Sequence, residues 1–380
     1  MLFWAGCGSP FFLLMPLTHH VFVFLEIFSC EGGIQSYVKD ILQAYSQLDT
    51  VADVFLLRDA AVENPFASAQ LRFHYCKAKS PMIGRAKLAI ALLTHLLTHR
   101  PQRVFCGHIL LAPLIQRLCE PLGIPYTVLT YGKEVWEPLP SRKQRALQNA
   151  DRIWAISRYS RDRACAANGI ERDRFDFLYC AVDGTVFQSQ AKDLELRQKY
   201  QLENCRVLMT VARLWSGDPY KGVDVTIRAL PQILQTFPDV KYLVIGRGDD
   251  QPRLASLAEE LGVSDRVVFA GFVATEDLPK HYCLADVYVM PSQEGFGIVY
   301  LEAMACGVPV LSGNADGSAE PLQDGRLGWQ VPHRDPDEVA IACIEMLKGE
   351  DQRCEGKWLR QESLAIFGKP AFVQRLKELI

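Results

Sequence analysis

The 380-residue sequence has no C-x-x-C pair among its 12 cysteines, and no cysteine–histidine spacing in it is typical of a zinc site. Most of the cysteines lie in apolar surroundings, for example Cys106, Cys119, Cys283 and Cys306. In a chain of this length we interpret them as buried reduced thiols, which predicts a reducing compartment.

The sequence also lacks an apolar run long enough to form a membrane-spanning helix. Residues 1–18 are apolar, but they are too short to cross a bilayer and lack the basic start of a secretory signal. A signal peptide is one interpretation; the composition favours a disordered or misassigned extension, with Met15 as a candidate start. We therefore expect a cytoplasmic protein, with any membrane contact peripheral and at the inner face.

No strong charge imbalance marks the chain as a whole, since the net charge is −3, which argues against nucleic-acid binding. Residues 1–185 carry +4 and residues 186–380 carry −7. The basic front half suits an acidic surface or acceptor. An equal alternative is that its excess of four positive charges has no functional role. A hydrophobic fraction of 49% and a charged fraction of 22% exclude a disordered chain.

Several catalytic motifs are missing. The sequence has no G-x-S-x-G and no P-loop, and the glycines of EGGIQS, after the first predicted strand, do not fit the dinucleotide fingerprint G-x-G-x-x-G. An NAD-dependent oxidoreductase therefore stays only as an alternative. The pair Asp335–Pro–Asp337 resembles a metal-binding D-x-D but lies in a polar segment, which we interpret as a loop.

Short apolar strands alternate with helical patterns along the whole chain, as in His20–Phe28 followed by the helical segment IQSYVKDILQAY. The alternation restarts after the polar stretch QSQAKDLELRQKY, and such alternation predicts parallel sheets in an α/β fold. We predict two Rossmann-like domains that face each other across a cleft: residues 1–185 on the acceptor side, residues 186–355 binding a nucleotide sugar, and C-terminal helices at 356–380 that pack back towards the first domain.

The segment from Glu294 to Glu302, EGFGIVYLE, follows the predicted strand VYVMPS and begins a helix. Its glycines permit close backbone approach, and the first N–H groups of a helix form an anion site, here those of Phe296, Gly297 and Ile298. Because helical side chains lean towards the N-terminus, Glu302 can reach the same ligand, and Glu294 can reach it from the other end. A phosphate site between two hydroxyl acceptors is what a sugar nucleotide requires.

Two cations, Arg213 and Lys221, follow the first strand of the rear half. At this position they can stabilise the charge that develops on a diphosphate leaving group. Taken alone, a surface salt bridge such as Lys221 with Asp224 is the better interpretation.

These segments together resemble the donor-binding half of the GT4 family of retaining glycosyltransferases, which have the GT-B fold. The resemblance rests on VARLWSGDPYKGVD, YLVIGRGDD, FAGFV and EGFGIVYLEAMACGVPVLSG, with the E-x7-E pair Glu294 and Glu302 as its specific mark. It is strongest over residues 207–330 and extends from about His20 to the end of the chain.

The resemblance implies a role for each matching residue. Glu294 would contact the donor sugar and Glu302 the ribose, while Arg213, Lys221 and the 296–298 amides would hold the diphosphate. The base would lie near the segment Gly271–Val273, which includes Phe272 and Val273, and near Gly246 and Gly248.

The front half resembles the family less closely. The segment Glu31–Ile34, with Gly32 on the acceptor side and Gly33 on the donor side, resembles the family's first glycine loop, which faces the donor phosphates and the acceptor. Many relatives carry His-Gly-x-Glu where this chain has Tyr131 to Glu134, so Tyr131 replaces a histidine. His108 is another acceptor-side candidate, with a partly buried histidine of no catalytic role as an equal alternative.

In retaining enzymes of this fold the departing phosphate is thought to help deprotonate the acceptor, which requires no dedicated nucleophile and no metal. The resemblance thus implies a hexosyl transfer from a UDP-, GDP- or ADP-sugar to a glycan, lipid-linked or small-molecule acceptor, with the nucleotide sugar as co-substrate and no cofactor. A non-catalytic sugar-nucleotide-binding protein is a further alternative.

The basic residues Arg72, Lys77, Lys79, Arg85 and Lys87 precede an apolar helix. One interpretation is that these basic residues and the helix bind an anionic membrane. The alternative is an ordinary core helix that follows a solvated basic segment.

Overall fold

The computed structural model describes residues 18–30, 32–61, 64–217 and 221–380. Of the predicted extension at residues 1–18, only Thr18 is described, and it begins the first strand. Within the described ranges no helix combines the length and the hydrophobicity that crossing a bilayer requires.

The front half forms a seven-stranded sheet of order β3-β2-β1-β4-β5-β6-β7, in which every pairing is parallel. Its strands are β1 (Thr18–Phe24), β2 (Thr50–Leu56), β3 (Leu71–Tyr75), β4 (Arg103–Cys106), β5 (Tyr126–Thr130), β6 (Arg152–Ala155) and β7 (Phe175–Phe177). Its helices are α1 (Gly33–Tyr45), α2 (Pro81–His99), α3 (Ala112–Cys119), α4 (Ser141–Gln148) and α5 (Arg158–Asn168).

The rear half forms a six-stranded parallel sheet of order β10-β9-β8-β11-β12-β13. Its strands are β8 (Arg206–Val211), β9 (Val240–Ile245), β10 (Val267–Gly271), β11 (Val287–Met290), β12 (Val310–Gly313) and β13 (Trp329–Val331). Its helices are α6 (Leu194–Lys199), α7 (Val223–Thr236), α8 (Gln251–Glu260), α9 (Leu278–Tyr282), α10 (Ile298–Ala305) and α11 (Pro336–Lys348). The predicted α/β class with two parallel sheets is confirmed.

Local signals explain where individual helices begin and end. Asp335 caps α11, since its side chain accepts hydrogen bonds from the N–H groups of Asp337 and Glu338, and Pro336 occupies the first helical position. Gly349 ends the same helix in the left-handed conformation. The segment Asp335–Pro–Asp337, predicted as a loop, is therefore a helix start.

Two C-terminal helices, α12 (Gly356–Phe367) and α13 (Lys369–Leu379), connect the halves. The guanidinium of Arg360 on α12 donates to the backbone carbonyls of Gly184 at 2.6 Å and Phe187 at 2.5 Å. Helix α13 packs on α1 of the front half, where Nε of Arg375 donates to the carbonyl of Phe177 at 3.0 Å. Val182 forms an isolated parallel bridge with Gly368, so the two segments that join the domains lie side by side.

The central strands are buried on both faces, as expected for parallel sheets covered by helices, whereas the edge strands β3 and β10 are mostly only partly buried. All four residues of β11 are buried, and α10 buries most of its side chains against the sheet. All cysteines in the described part of the chain are free thiols, and the four that we predicted to be buried, Cys106, Cys119, Cys283 and Cys306, are buried.

Candidate active site

The loop between β11 and α10 creates a helix start at the carboxyl end of the rear sheet. Gly297 precedes α10 with a φ of 92°, and a Cβ at that position would lie 2.5 Å from the ring of Tyr300. Only glycine fits this combination of backbone conformation and space. Within the described ranges no carbonyl or side chain accepts a hydrogen bond from the N–H groups of Phe296, Gly297 or Ile298. These amides can therefore bind an anion.

Glu294 is fixed within this loop by contacts to its backbone and to its side chain. Nζ of Lys221 donates a hydrogen bond to Oε1 of Glu294, and the N–H of Glu294 donates to Oδ2 of Asp316. The exposed fractions of the Lys221 and Glu294 side chains are 20% and 18%, so a ligand can still reach both. The structure thus brings together two residues that are 73 positions apart and that the sequence assigned to one site.

Asp316 is a site residue that the sequence analysis missed. It lies in the segment after β12, and its carboxylate also accepts hydrogen bonds from the N–H and hydroxyl groups of Ser318. A Cβ on Gly317 would lie 2.1 Å from the carbonyl oxygen of Gly295, so the two loops touch and require glycine at this point. Burial raises the pKa of Asp316 to about 6. The only signal in the sequence was the polar stretch NADGS after a buried strand.

Arg213 and Lys221 line one small pocket at the end of β8, together with Trp215, Gly222 and Asp250. The guanidinium carbon of Arg213 lies 5.5 Å from the centre of the Trp215 ring, a cation–π contact that helps to hold it.

The interpretation of Lys221 and Asp224 as a surface salt bridge, which the sequence suggested, is wrong. Asp224 instead accepts two hydrogen bonds from Arg334, at 3.0 and 2.8 Å, while Lys221 turns to Glu294. The segment between Arg213 and Lys221 includes residues 218–220, which lie outside the described residues.

Glu302 lies on the second turn of α10 and is partly buried. Its Oε2 accepts a hydrogen bond from the hydroxyl of Tyr282 at 2.7 Å, and a carboxylate that is partly removed from water needs such a partner. The ring of Tyr288 connects this position to the end of β8, since it lies 5.7 Å from the Tyr282 ring and its hydroxyl is 3.4 Å from the N–H of Val211. Burial raises the pKa of Glu302 to about 7.

The loops after β9 and β10 adjoin each other, as expected for a base site. The N–H of Gly246 donates to the carbonyl of Gly271 at 2.8 Å. Added Cβ atoms at Gly246 and Gly248 would lie 1.8 Å and 1.7 Å from the carbonyl oxygens of Ala212 and Leu214, so only glycine permits this approach to the segment that leads to Arg213.

An aromatic ring is exposed at the same loops. The side chain of Phe272 is 64% exposed, and the guanidinium of Arg247 lies over its ring at 4.8 Å. Val273 follows it and is partly buried against the core. The Phe272 ring thus stays largely exposed although Arg247 lies over one of its faces.

In the front domain, Gly32 and Gly33 lie at the start of α1, while Glu31 lies outside the described residues. The chain before them is fixed by Asp59, whose buried carboxylate accepts hydrogen bonds from the N–H groups of residues 27–29. Asp59 was not predicted as a site residue, because nothing local in the sequence marks an aspartate after β2 as the partner of a loop about 30 residues earlier.

Of the three acceptor-side candidates, Tyr131 and His108 carry polar side chains, and these differ in what they offer to a ligand. The hydroxyl of Tyr131 donates to the carbonyl of Gly107 at 2.7 Å, so its proton points into the domain. His108 is partly buried, and burial, with the nearby charges of Arg58 and Lys143, lowers its pKa to about 4. Its imidazole is therefore neutral at neutral pH, and its Nδ1 accepts a hydrogen bond from the N–H of Leu110 at 3.1 Å.

The domains meet directly beside Glu294. The hydroxyl of Ser157, the residue that caps α5, donates to the carbonyl of Gly295 at 2.6 Å. Next to it, Arg158 forms an ion pair with the buried Glu320 at 3.0 Å and another with Asp324 at 2.8 Å. The loop between β11 and α10 is therefore held from both domains, an arrangement that was not predicted from the sequence.

The chain matches two family models that together cover more than three quarters of its length. Residues 205–349 match the model described as glycosyl transferases group 1, and residues 32–181 match the glycosyl transferase 4-like domain.

Among curated proteins, a GDP-mannose-dependent phosphatidylinositol monomannoside mannosyltransferase of Mycolicibacterium smegmatis is 36% identical over 231 residues, 57% of this chain and 59% of the relative. A related mannosyltransferase of Corynebacterium glutamicum is 29% identical over 330 residues, 83% of this chain and 85% of the relative. The chain thus spans about three fifths of the length of the mycobacterial relative.

Solved structures show the same fold at low identity. The Anabaena protein HepE in complex with UDP superposes with a TM-score of 0.77 at 20% identity, covering 95% of this chain and 98% of that one. Sucrose-phosphate synthase from Thermosynechococcus elongatus superposes with a TM-score of 0.74 at 21% identity, covering 95% and 98%. The likeness to these structures shows the GT-B fold, and the two matched models show that the chain belongs to the GT4-type group 1 glycosyltransferases.

Proposed function

We propose that the protein is a retaining hexosyltransferase, which moves a hexosyl group from a nucleoside-diphosphate sugar to a glycan, lipid-linked or small-molecule acceptor. The observation that supports this most directly is the contact between Lys221 and Glu294 beside the free amides at the start of α10. A cation and backbone donors suit a diphosphate, and a carboxylate next to them suits sugar hydroxyls. Family membership favours transfer over the NAD-dependent and non-catalytic alternatives.

In the proposed reaction the bond between the anomeric carbon and the β-phosphate oxygen breaks, and the acceptor oxygen bonds to that carbon on the same face. The departing phosphate oxygen takes the acceptor proton. Lys221, Arg213 and the 296–298 amides stabilise the charge that develops on the diphosphate, while Glu294 positions the sugar. That no cofactor or metal takes part in the transfer stays a prediction.

GDP-mannose is the first donor to test, because the mannosyltransferases from Mycolicibacterium and Corynebacterium are named for it. UDP-glucose is the second, since the Anabaena fold relative was crystallised with that nucleotide sugar. An inositol-containing glycolipid is the first acceptor to test, since those same two relatives act on phosphatidylinositol mannosides.

We expect one nucleotide sugar to stabilise the purified full chain and to be turned over. A donor at 100 times its Kd adds about 2.7 kcal/mol to the free energy of unfolding, which thermal unfolding detects. Released nucleoside diphosphate, measured for GDP-mannose, UDP-glucose and ADP-glucose, identifies the donor. Stabilisation by NAD alone would indicate the oxidoreductase, and tight donor binding with no turnover for any tested acceptor would indicate the non-catalytic protein.

We further propose that α2 contacts an anionic membrane surface. The helix buries one face, but Met82, Ile83 and Ile90 on its other faces are 77%, 62% and 67% exposed. The basic residues that accompany it are also exposed: Arg72, Lys77, Lys79, Arg85 and Lys87. Apolar side chains beside lysine and arginine are typical of helices that bind membranes in the plane of the interface.

Vesicle co-sedimentation tests this proposal. We expect the protein to bind vesicles that contain phosphatidylglycerol and to bind pure phosphatidylcholine vesicles much less, because each basic residue contributes about 1 kcal/mol near an anionic surface. The double variant Ile83→Glu/Ile90→Glu should lose most of the binding. The control Leu194→Glu changes a side chain that is 79% exposed in the rear domain and should bind as the parent does. Equal binding by the double variant and the parent would contradict the proposal.

A further inference from the structure

A cluster of histidines surrounds one aspartate in the front domain, away from the donor loops. Asp53 lies on β2, and its carboxylate is approached by His19 of β1, His74 of β3 and His95 of α2. Nε2 of His19 is 2.8 Å from Oδ2 of Asp53, and Nε2 of His74 is 2.6 Å from Oδ1. Nε2 of His95 lies 3.5 Å from Oδ2. All three histidines therefore present the same ring nitrogen to one carboxylate.

His95 has a polar atom that the protein leaves unsatisfied. Its side chain is only 8% exposed, its Nε2 is inaccessible to solvent, and this nitrogen has no hydrogen-bond partner. Leaving a buried donor or acceptor unpaired costs about 1–3 kcal/mol, and most such atoms in native proteins have a partner. The unpaired nitrogen faces the Asp53 carboxylate, so a ligand in the middle of the cluster would satisfy it.

The spacing of the donor atoms fits a small cation. One ligand atom from each of His19, Asp53 and His95 lies within 4.8 Å of the other two. A tetrahedral zinc ion with bonds of about 2.0–2.2 Å holds its ligand atoms about 3.4 Å apart. The separations of Asp53 Oδ2 from the His19 and His95 nitrogens, 2.8 Å and 3.5 Å, each lie within about 1 Å of that value, and the two nitrogens lie within 4.8 Å of each other. Two imidazoles and one carboxylate select zinc-class transition metals over magnesium or calcium, which prefer oxygen ligands alone.

We propose that His19, Asp53 and His95 bind a divalent transition-metal ion of the zinc class through two Nε2 atoms and Oδ2. His74 then holds the second carboxylate oxygen, Oδ1, and orients Asp53, as outer-shell partners of metal ligands do. The fourth position is left to water. The ion ties β1, β2 and α2 together.

The position of the cluster gives the ion a structural role. His19 lies at the amino-terminal end of β1, and His95 lies in the last turns of α2, which returns to the amino edge of the sheet. The donor loops and α1 begin at the carboxyl ends of the strands, which is where ligands of parallel sheets bind. Loss of the ion is therefore expected to lower stability and to leave donor affinity unchanged.

The test is calorimetric titration of Zn²⁺ into the full chain, prepared without a histidine tag and treated with a chelator. We expect one ion per chain and a higher melting temperature on binding. The variants His19→Gln and His95→Gln should abolish stoichiometric binding, and His74→Gln should weaken it by about 10- to 100-fold. His99→Gln is the matched control, because this exposed histidine stacks on His95 at 4.2 Å but does not face Asp53.

Cobalt substitution identifies the ligands even if the His95 variant folds poorly. Co²⁺ should give the absorption of a site with nitrogen and oxygen ligands, and this absorption should disappear in His19→Gln, whose altered side chain is partly exposed. Absence of stoichiometric Zn²⁺ binding would overturn the proposal. So would unchanged binding in His19→Gln, equal loss in His99→Gln, or a thiolate-to-cobalt charge-transfer band, which would assign the ion to cysteines.

Discussion

Replacing Lys221 with alanine is expected to lower the turnover of the nucleotide sugar by about 10²–10³-fold, the effect of removing one preorganised donor from a developing charge. The substitution removes a cation from the phosphate site and also removes the partner of Glu294. Arg213→Ala, which changes the second cation of the same pocket, should lower kcat by a similar factor. Initial rates of nucleoside-diphosphate release over a range of donor concentrations measure both effects.

Two controls separate loss of catalysis from loss of folding. Lys241→Ala removes a lysine of the same domain whose Nζ donates to the backbone carbonyl of Gln201 at the surface, and the turnover of this variant should match that of the parent. Lys221→Arg keeps the charge and should retain more activity than Lys221→Ala. If Lys221→Ala and Arg213→Ala both turn over donor at the normal rate, the diphosphate assignment fails.

The substitution Glu302→Gln is expected to weaken nucleotide binding and to strengthen the fold. A charged acceptor of ribose hydroxyls contributes about 2 kcal/mol, so its loss should raise the Kd of the nucleoside diphosphate about 30-fold at pH 8. The amide oxygen can still accept the hydrogen bond of Tyr282, so the local structure is kept. Calorimetric titration measures the affinity.

The effect of Glu302 on stability has a definite dependence on pH. The pKa of Glu302 is about 7 in the folded protein and near 4.5 when unfolded, so the unfolded chain releases the proton more readily. The folded state therefore loses stability as pH rises from about 4.5 to 7, and the full penalty persists above pH 7. We expect Glu302→Gln to raise the free energy of unfolding by about 2 kcal/mol at pH 8, because water still reaches part of the carboxyl, and by almost nothing at pH 4.

Denaturant unfolding at pH 4 and pH 8 measures this difference, with Glu260→Gln on the exposed face of α8 as the matched control. Glu260→Gln should change neither stability nor nucleotide affinity. A Glu302→Gln protein that binds the nucleotide as the parent does would contradict the ribose assignment, and a loss of stability at pH 8 would contradict the burial penalty.

The sequence predicted those parts of the fold and site that local patterns determine. The alternation of strand and helix gave both sheets, and the run from Glu294 to Glu302 placed two carboxylates on one helix start because the spacing within a helix is fixed. The short strands β3, β7 and β13 were not identified, since strands of five, three and three residues carry little periodic signal.

The parts that were missed depend on contacts between distant segments. Asp316, Ser157 and Asp59 each hold a loop from another element, and their residue types are equally common in turns with no such role. The histidine cluster gave no spacing signal because its members come from four elements of the front domain. Tyr131 was recognised as a departure from the family pattern, but the inward direction of its hydroxyl required the structure.

The paired crossings of the chain at Val182 and Gly368 limit how the domains can move. Two adjacent chain connections between the domains allow one domain to rotate relative to the other about the line through the connections, and they resist sliding or twisting. The width of the crevice between the domains therefore depends mainly on this one rotation angle. The Arg158–Glu320 and Ser157–Gly295 contacts join the same two domains and must separate as that angle increases. We therefore expect wider opening of the crevice to break the bonds of Arg158 to Glu320 and Asp324 together with the Ser157–Gly295 hydrogen bond.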